Sequence, residues 1–299
     1  MTSWELCLDS LDGLSVGDAL GAQYLVPGRS ARDLRAGRLP DPVWPWTDDT
    51  EMACVIVSEL RHRERIDQDV LAAAFASRCD PYRGYGGGAV VILRQIRAGG
   101  DWRHVARAAF DGQGSMGNGA AMRVAPLGAF HTGDSDTAAR EARRSAEVTH
   151  AHAEGVLGAV AVAVAAAEAG RARQVDVRPE PADLLDAVLG HIGDSQVRRG
   201  VERARRLLGV SVAEAAHELG NGARALASDT VPFALWTAAT WLDDYPSAIL
   251  ACVEAGGDVD TTAAIVGGVV ATYTGRGATG VPAAWLRRRE PLPALGTWP

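Results

Sequence analysis

The chain has 299 residues, 47% of them apolar and 22% charged, with a net charge of −7; this is an ordinary globular balance with no basic face for nucleic acid. All 30 basic residues are arginine, which excludes Schiff-base, lysine general-base and phosphate-loop-lysine chemistry and, because lysine codons are A-rich, points to a bacterial genome of high GC content. The length suits one domain spanning residues 1–299. The four cysteines (Cys7, Cys54, Cys79 and Cys252) stand singly without metal or redox spacing, and the N-terminus lacks a basic start followed by an apolar core, so a reducing cytoplasm is expected.

Helical periodicity runs through the chain and strand alternation is nearly absent. Trp4, Cys7/Leu8, Leu11 and Leu14 recur at steps of three and four. The cluster Thr47-Asp48-Asp49-Thr50 precedes the apolar run Met52 to Leu60, which passes into the charged tail Arg61 to Arg65. Val70 to Ala76, Val90 to Ile96 and Ala138 to Val148 continue the pattern, and Gly84 to Gly88 and Gly112 to Gly119 read as loops where backbone approaches something closely. Val156 to Ala167 is too short for a membrane span and reads as a buried helix, its Val–Ala alternation at 160–164 included. Gln174 to Pro181 is a surface connection. Pro181 and Pro232 suit first turns, and Ser211 to Glu214 is a capping box. Ile249 to Ala255 is helical and leads into Asp258-Val259-Asp260-Thr261-Thr262. The expected fold is an all-α, many-helix bundle.

The two acidic clusters are the most informative feature. Each stands where an apolar helical pattern begins. One reading is local: Asp and Thr cap helices, acidic first turns favour the helix dipole, and Asp48 with Glu51 fits a capping box. The other is a metal centre. Carboxylates and hydroxyls are hard donors suited to magnesium or manganese, and each cluster could offer two carboxylates to a pair of ions. Adjacent carboxylates between Trp44/Trp46 and an apolar run need a counter-ion, because burying unpaired charge is expensive.

Seven stretches in order, GDALGA (17–22), WTDDTEMA (46–53), RGYGGG (83–88), GSMGNGAAMRVAPLG (114–128), TH (149–150), DTVPFALW (229–236) and GGDVDTTAAIVGG (256–268), resemble the ADP-ribosylglycohydrolase family over nearly the whole chain. The resemblance implies a single compact orthogonal helical bundle with a binuclear magnesium site in a central cleft (manganese also suits). It implies cleavage of the glycosidic bond at C1″ of ADP-ribose. Thr47, Asp48 and Asp49 match the first ligand cluster, and Asp258, Asp260 and Thr261 the second. Gly114, Ser115, Met116, Gly117, Asn118 and Gly119 match the loop that cradles the diphosphate, consistent with small residues letting amides converge on an anion. His150 matches a position beside the adenosine-side ribose. Asp18 reads as a structural residue near the site.

Two departures bear on mechanism. Where many members carry a glutamate eight positions after the first glycine of GDALG, this chain has Leu25, and Gly84 stands where the dinitrogenase-reductase branch has an aspartate. The arginine-specific branch is the closer pattern, with Asp48 or Asp49 moving the proton and no general acid assigned; a guanidinium leaving group, already cationic, would need none. The expected function is a magnesium-dependent hydrolase releasing ADP-ribose from an N- or O-linked acceptor. The alternative is a catalytically weak ADP-ribose- or partner-binding protein of immunity type, which Leu25 keeps open. A third reading, the D-x-D-x-T motif of aspartate-nucleophile phosphatases, requires a preceding strand that the helical Ile249 to Ala255 does not offer. Tyr24, Tyr82, Tyr85, Trp44 and Trp46 are the aromatic candidates for the cleft mouth.

Overall fold

In the computed structural model, which describes residues 1–295, the architecture is α-helical, with no strand and only isolated bridges among the described residues. The first half contains α1 (Ser3–Ala22), α2 (Ala31–Arg35), α3 (Asp48–Arg63), α4 (Gln68–Arg78), α5 (Gly87–Arg97), α6 (Trp102–Ala108), α7 (Ala125–Phe130) and α8 (Ser135–Glu147). The second half contains α9 (Ala153–Gln174), α10 (Pro181–Leu189), α11 (Gln196–Arg206), α12 (Val212–Leu219), α13 (Ala227–Thr240), α14 (Tyr245–Ala255), α15 (Val259–Thr274) and α16 (Ala283–Leu286). Single 3₁₀ turns cover Pro81–Arg83 and Asn118–Ala120.

The helix pair with the most extensive contact joins the two ends of the chain, α1 against α15. Its cause is a ridge of glycines at four-residue spacing, which presents one helix face without side chains. A Cβ at Gly13 would lie 2.3 Å from the Gly267 carbonyl oxygen, one at Gly17 2.1 Å from that of Ala263, and one at Gly21 2.7 Å from the Asp260 Cα. The contact therefore runs antiparallel, backbone on backbone, and it sets the start of α15 beside the end of α1.

Helix α9 packs among α7, α8, α10, α13 and α15. Its alanine-rich face admits close neighbours: a Cβ at Gly128 of α7 would meet the Ala163 carbonyl oxygen at 2.0 Å. At 22 residues it is long and apolar enough to cross a membrane, contrary to the expectation that this run is too short. Within the fold, 89% of its most apolar window is buried against the rest of the chain, so its hydropathy is accounted for by the core.

Other expectations hold locally. The four cysteines are buried and unpaired, and Pro181 opens α10. Ser211 caps α12 by accepting the Glu214 amide at 3.2 Å, but only this half of the expected capping box is formed. Pro232 does not open a helix; it sits inside α13, in its second turn beyond the N-cap Leu226, with Gly200 of α11 leaving room for its ring. Proline needs no amide partner there only because it has no N–H to satisfy.

The glycine ridge generates a stability test. Gly17→Ala is expected to lower the unfolding free energy by about 1–3 kcal/mol through overpacking against backbone that cannot yield. Gly193→Ala, at an exposed position where a Cβ meets nothing within 4 Å, should leave the urea midpoint unchanged. Equal midpoints for the two variants would refute the close-packed ridge.

Candidate functional site

Helix α3 is capped from outside. Thr47 occupies its N-cap position without a side-chain cap of its own. Asp18, fully buried on α1, accepts instead from Thr47 N (2.9 Å), Thr47 Oγ1 (2.8 Å), Thr50 N (3.2 Å) and Thr50 Oγ1 (2.5 Å). One carboxylate thus satisfies two orphan amides of a neighbouring helix and ties α1 to α3. The Asp48/Glu51 capping box is absent, because the Glu51 carboxylate is taken by Tyr85 Oη (2.7 Å) and Asp80 N (3.1 Å).

Freed from capping, the acidic residues converge. Oxygens of Asp18, Asp49 and Asp260 all lie within 4.8 Å of one another, on three different helices. Asp49 Oδ2 accepts from Thr47 Oγ1 at 3.0 Å, while its Oδ1 is buried and has no hydrogen-bond partner. Asp258, the N-cap residue of α15, makes no side-chain cap either; its Oδ2 accepts from Asn118 Nδ2 at 2.7 Å. Asp260 accepts a local backbone bond from Thr261 N at 3.0 Å.

Burial, reinforced by like charge, pushes these carboxyls up. Asp18 rises to about 6 through burial, against the pull of its four hydrogen bonds. Asp48 rises to about 7 through burial and the Asp18 charge. Asp49 rises well above its usual value through burial and then Asp18 and Asp48, and Asp260 through burial and then Asp258 and Asp18. A cluster of this kind is stable in ionised form only with a counter-cation. The donors are all hard oxygens, and the orphaned Asp49 Oδ1 is an acceptor awaiting one, so the residues present fit a divalent ion.

The cluster forms one wall of a cleft of about 670 Å³, within the range of small-molecule sites. Asp48, Asp49, Asp258, Asp260 and Thr261 line it; Thr47 is turned back onto Asp18 and does not. The opposite wall is the loop 110–119. Gly114 has φ +74°, and a Cβ there would lie 2.7 Å from the His152 amide nitrogen, so only glycine fits. Part of this loop is internally engaged: the Gly117 amide donates to Ser115 Oγ (3.2 Å) and the Asn118 amide to the Ala225 carbonyl (3.1 Å). Among the described residues, the successive amides of Ser115 and Met116 donate to no protein acceptor, which leaves them for an anion. Asn118 turns its side chain towards Asp258 and Thr230, linking the two walls. His150 is buried at the base of the loop, its imidazole pushed down to about 3 by burial and the nearby Arg123.

The aromatic rim differs from expectation. Trp44 is fully buried, Trp46 lies under the Arg83 guanidinium at 3.5 Å, and Tyr85 is committed to Glu51. Neither Tyr24 nor the exposed Tyr82 lines the cleft, whereas Phe110 does, more than half exposed and with φ +53°. Leu25 is half exposed and lies off the cleft lining. Asp18, read as a structural residue near the site, lies in the central triad. Its signal was available in its place one turn before Gly21 on the glycine ridge. Met52, Met122 and Arg123, which lie within the recognised stretches but are not singled out by them, also line the cleft, as does Arg224, which carried no sequence signal.

A stability measurement tests the cation site. A carboxyl whose folded pKa is raised contributes its full stability below the unfolded value of 3.8 and loses it as pH climbs through about 6 for Asp18 and about 7 for Asp48. Cation-free protein should therefore lose stability from this cluster between about pH 4 and 7. Magnesium in hundredfold excess over its dissociation constant should restore about 2.7 kcal/mol at pH 8 and much less at pH 5. Thermal melts with magnesium or chelator at the two pH values give the comparison; a shift independent of pH, or one retained in Asp260→Asn, would count against the site.

The sequence model of the ADP-ribosylglycohydrolase family matches residues 5–297. The chain is 31% identical to "ADP-ribosylhydrolase ARH3" of Homo sapiens, over 94% of this chain and 88% of that one. It is likewise 31% identical to the mouse protein of the same name, over 94% and 86%, and to an uncharacterized protein of Archaeoglobus fulgidus, over 95% and 92%. Among solved structures, an "ADP-ribosylglycohydrolase-related protein complex" superposes with a TM-score of 0.67 at 27% identity, covering 96% of this chain and 93% of that one. A helical frame, a buried aspartate triad facing a glycine loop, and a match from end to end identify the chain as a member of the ADP-ribosylglycohydrolase family.

Proposed function

We propose that this protein is a magnesium-dependent hydrolase that cleaves the glycosidic bond between ADP-ribose and an N- or O-linked acceptor, a protein side chain or a small molecule, and releases ADP-ribose. The observation that carries the reading is the meeting of Asp49 and Asp260, backed by the buried Asp18, at a cleft whose glycine loop offers the Ser115 and Met116 amides. The names of the mammalian relatives point the same way.

Thr47, Asp48, Asp49, Asp258, Asp260 and Thr261 are the proposed ligands of two magnesium or manganese ions, with Asp18 backing them. Bound divalent ions supply Lewis-acid polarisation and charge neutralisation at this wall. The chain's own residues do the rest. Gly114 to Gly119 hold the diphosphate, with the Ser115 and Met116 amides as anion donors, and His150 borders the adenosine-side ribose. Asp48 and Asp49 are the proposed catalytic residues. Either takes the proton of the attacking water, and their negative charge favours an oxocarbenium-like transition state. No general acid is assigned, since Leu25 offers none. A cationic leaving group such as a guanidinium departs without one.

The test is a panel of N- and O-linked ADP-ribose adducts, assayed for free ADP-ribose with magnesium and then with chelator. Release should require the divalent ion, and Asp49→Ala or Asp260→Ala should lower kcat/KM by at least about 100-fold, since even outer-shell losses at metal sites cost 10–100-fold. Full activity in chelator would end the metal assignment. Tight ADP-ribose binding without release from any adduct would favour the immunity-type binder, the reading suggested by the half-exposed Leu25.

A further inference from the structure

Arg123 is fully buried and, although the Asp48 charge acts on it, forms no salt bridge among the described residues; its Nη1 lies 3.4 Å from Met52 Sδ. Its guanidinium packs over the Phe75 ring at 4.4 Å, and its Nη2 donates to the Ser145 carbonyl at 2.8 Å and to Thr149 Oγ1 at 3.0 Å. Thr149 Oγ1 in turn lies 2.8 Å from His150 Nδ1. A cation held this deep without a direct ion-pair partner needs a reason.

The donor inventory supplies one. Arginine can only donate, so Thr149 Oγ1 accepts from it and must place its own single proton elsewhere. Of the two groups bonded to that hydroxyl, only His150 Nδ1 can accept. Nδ1 therefore carries the lone pair and Nε2 carries the hydrogen. Nε2 has no hydrogen-bond partner within the described residues, and His150 lines the cleft. It lies against the glycine loop: Cβ atoms built at Gly117 and Gly119 would be 3.5 and 3.4 Å from it. A Cβ at Gly119 would also come within 3.3 Å of the ring Cε1, tighter than an ordinary contact, and one at Gly117 would just touch the ring, so two glycines keep that edge free of side chains.

We infer that Arg123 and Thr149 are positioning residues, which lock His150 as a neutral Nε2–H donor aimed at a ligand oxygen held by the Gly117–Gly119 segment. The inference rests on the proposed function for the identity of that ligand, ADP-ribose, but the tautomer itself does not depend on it. The consequence is selectivity: the site favours an acceptor oxygen, such as that of a phosphate or a ribose, over a group that can only donate.

The experiment reads the tautomer directly, by ¹⁵N correlation spectra of the histidine rings in the full-length protein, alongside calorimetric titration with ADP-ribose. In the wild type, His150 should show protonated Nε2 and unprotonated Nδ1 from pH 5 to 8. Thr149→Val should lose that bias and bind ADP-ribose about tenfold more weakly, the scale of one lost hydrogen bond. Thr149→Ser should restore both. Arg123→Met should mix the tautomers by releasing the hydroxyl, and if that variant does not fold, the Thr149 pair still decides. Protonated Nδ1 in the wild type, or an unchanged spectrum and affinity in Thr149→Val, would overturn the relay. A wild-type protein with the expected tautomer and no affinity for ADP-ribose would defeat the proposed function while leaving the relay in place.

Discussion

The site depends on the backbone-to-backbone approach of α1 and α15. Three glycines on α1 let the two helices come closer than any side chain would permit, with the Gly17 face at the Ala263 carbonyl and the Gly21 face at the Asp260 Cα. That contact fixes where α15 begins relative to the end of α1. Since Asp258 and Asp260 lie in the cap and first turn of α15, their separation from Asp18 follows from helix packing rather than from loop conformation. Such sites are held by rigid elements, which keeps donor positions precise.

Asp18 carries the constraint onward. Its carboxylate receives the amides and hydroxyls of Thr47 and Thr50, so the orientation of α3, and with it Asp48 and Asp49, is referenced to α1. The arrangement concentrates negative charge where burial already disfavours it, and the raised pKa values of Asp18 and Asp48 express that conflict. A fold optimised for stability alone would cap α3 with its own Thr47 and keep the acids apart. Here the local cap is given up, and the acids are left facing one another in a form that a cation would stabilise.

Much of this was legible in the residues, and the failures have physical causes. Helices announced themselves through periodicity, and the two acidic clusters through their composition against an apolar background. Asp18 reads as a structural residue near the site, but which groups it holds is not legible, because its hydrogen bonds go to residues about thirty positions away that no local pattern encodes. Trp44, Trp46 and Tyr85 were placed at the mouth for being aromatic, but each has a polar handle satisfied inside the protein, at Pro40, Pro291 and Glu51 respectively. Phe110 was missed because its exposure depends on a left-handed backbone that a phenylalanine does not advertise. Helix α9 looked too short for a membrane when only its purest apolar run was counted; the helix continues through Glu168 and Arg171, whose side chains pair with each other at 2.8 Å.

The two walls of the cleft solve opposite electrostatic problems with the same economy. On one, carboxylates are crowded beyond what burial tolerates, which creates demand for cations. On the other, backbone amides and a neutral imidazole offer partial positive charge, and the two arginines of the lining are engaged elsewhere, Arg224 by Asp229 and Arg123 by the Ser145 carbonyl and Thr149. An arginine paired directly with Asp48 or Asp258 would neutralise the wall that needs a metal. Committing the formal positive charges to other partners lets the loop attract an anion and the acids attract cations within a single cavity.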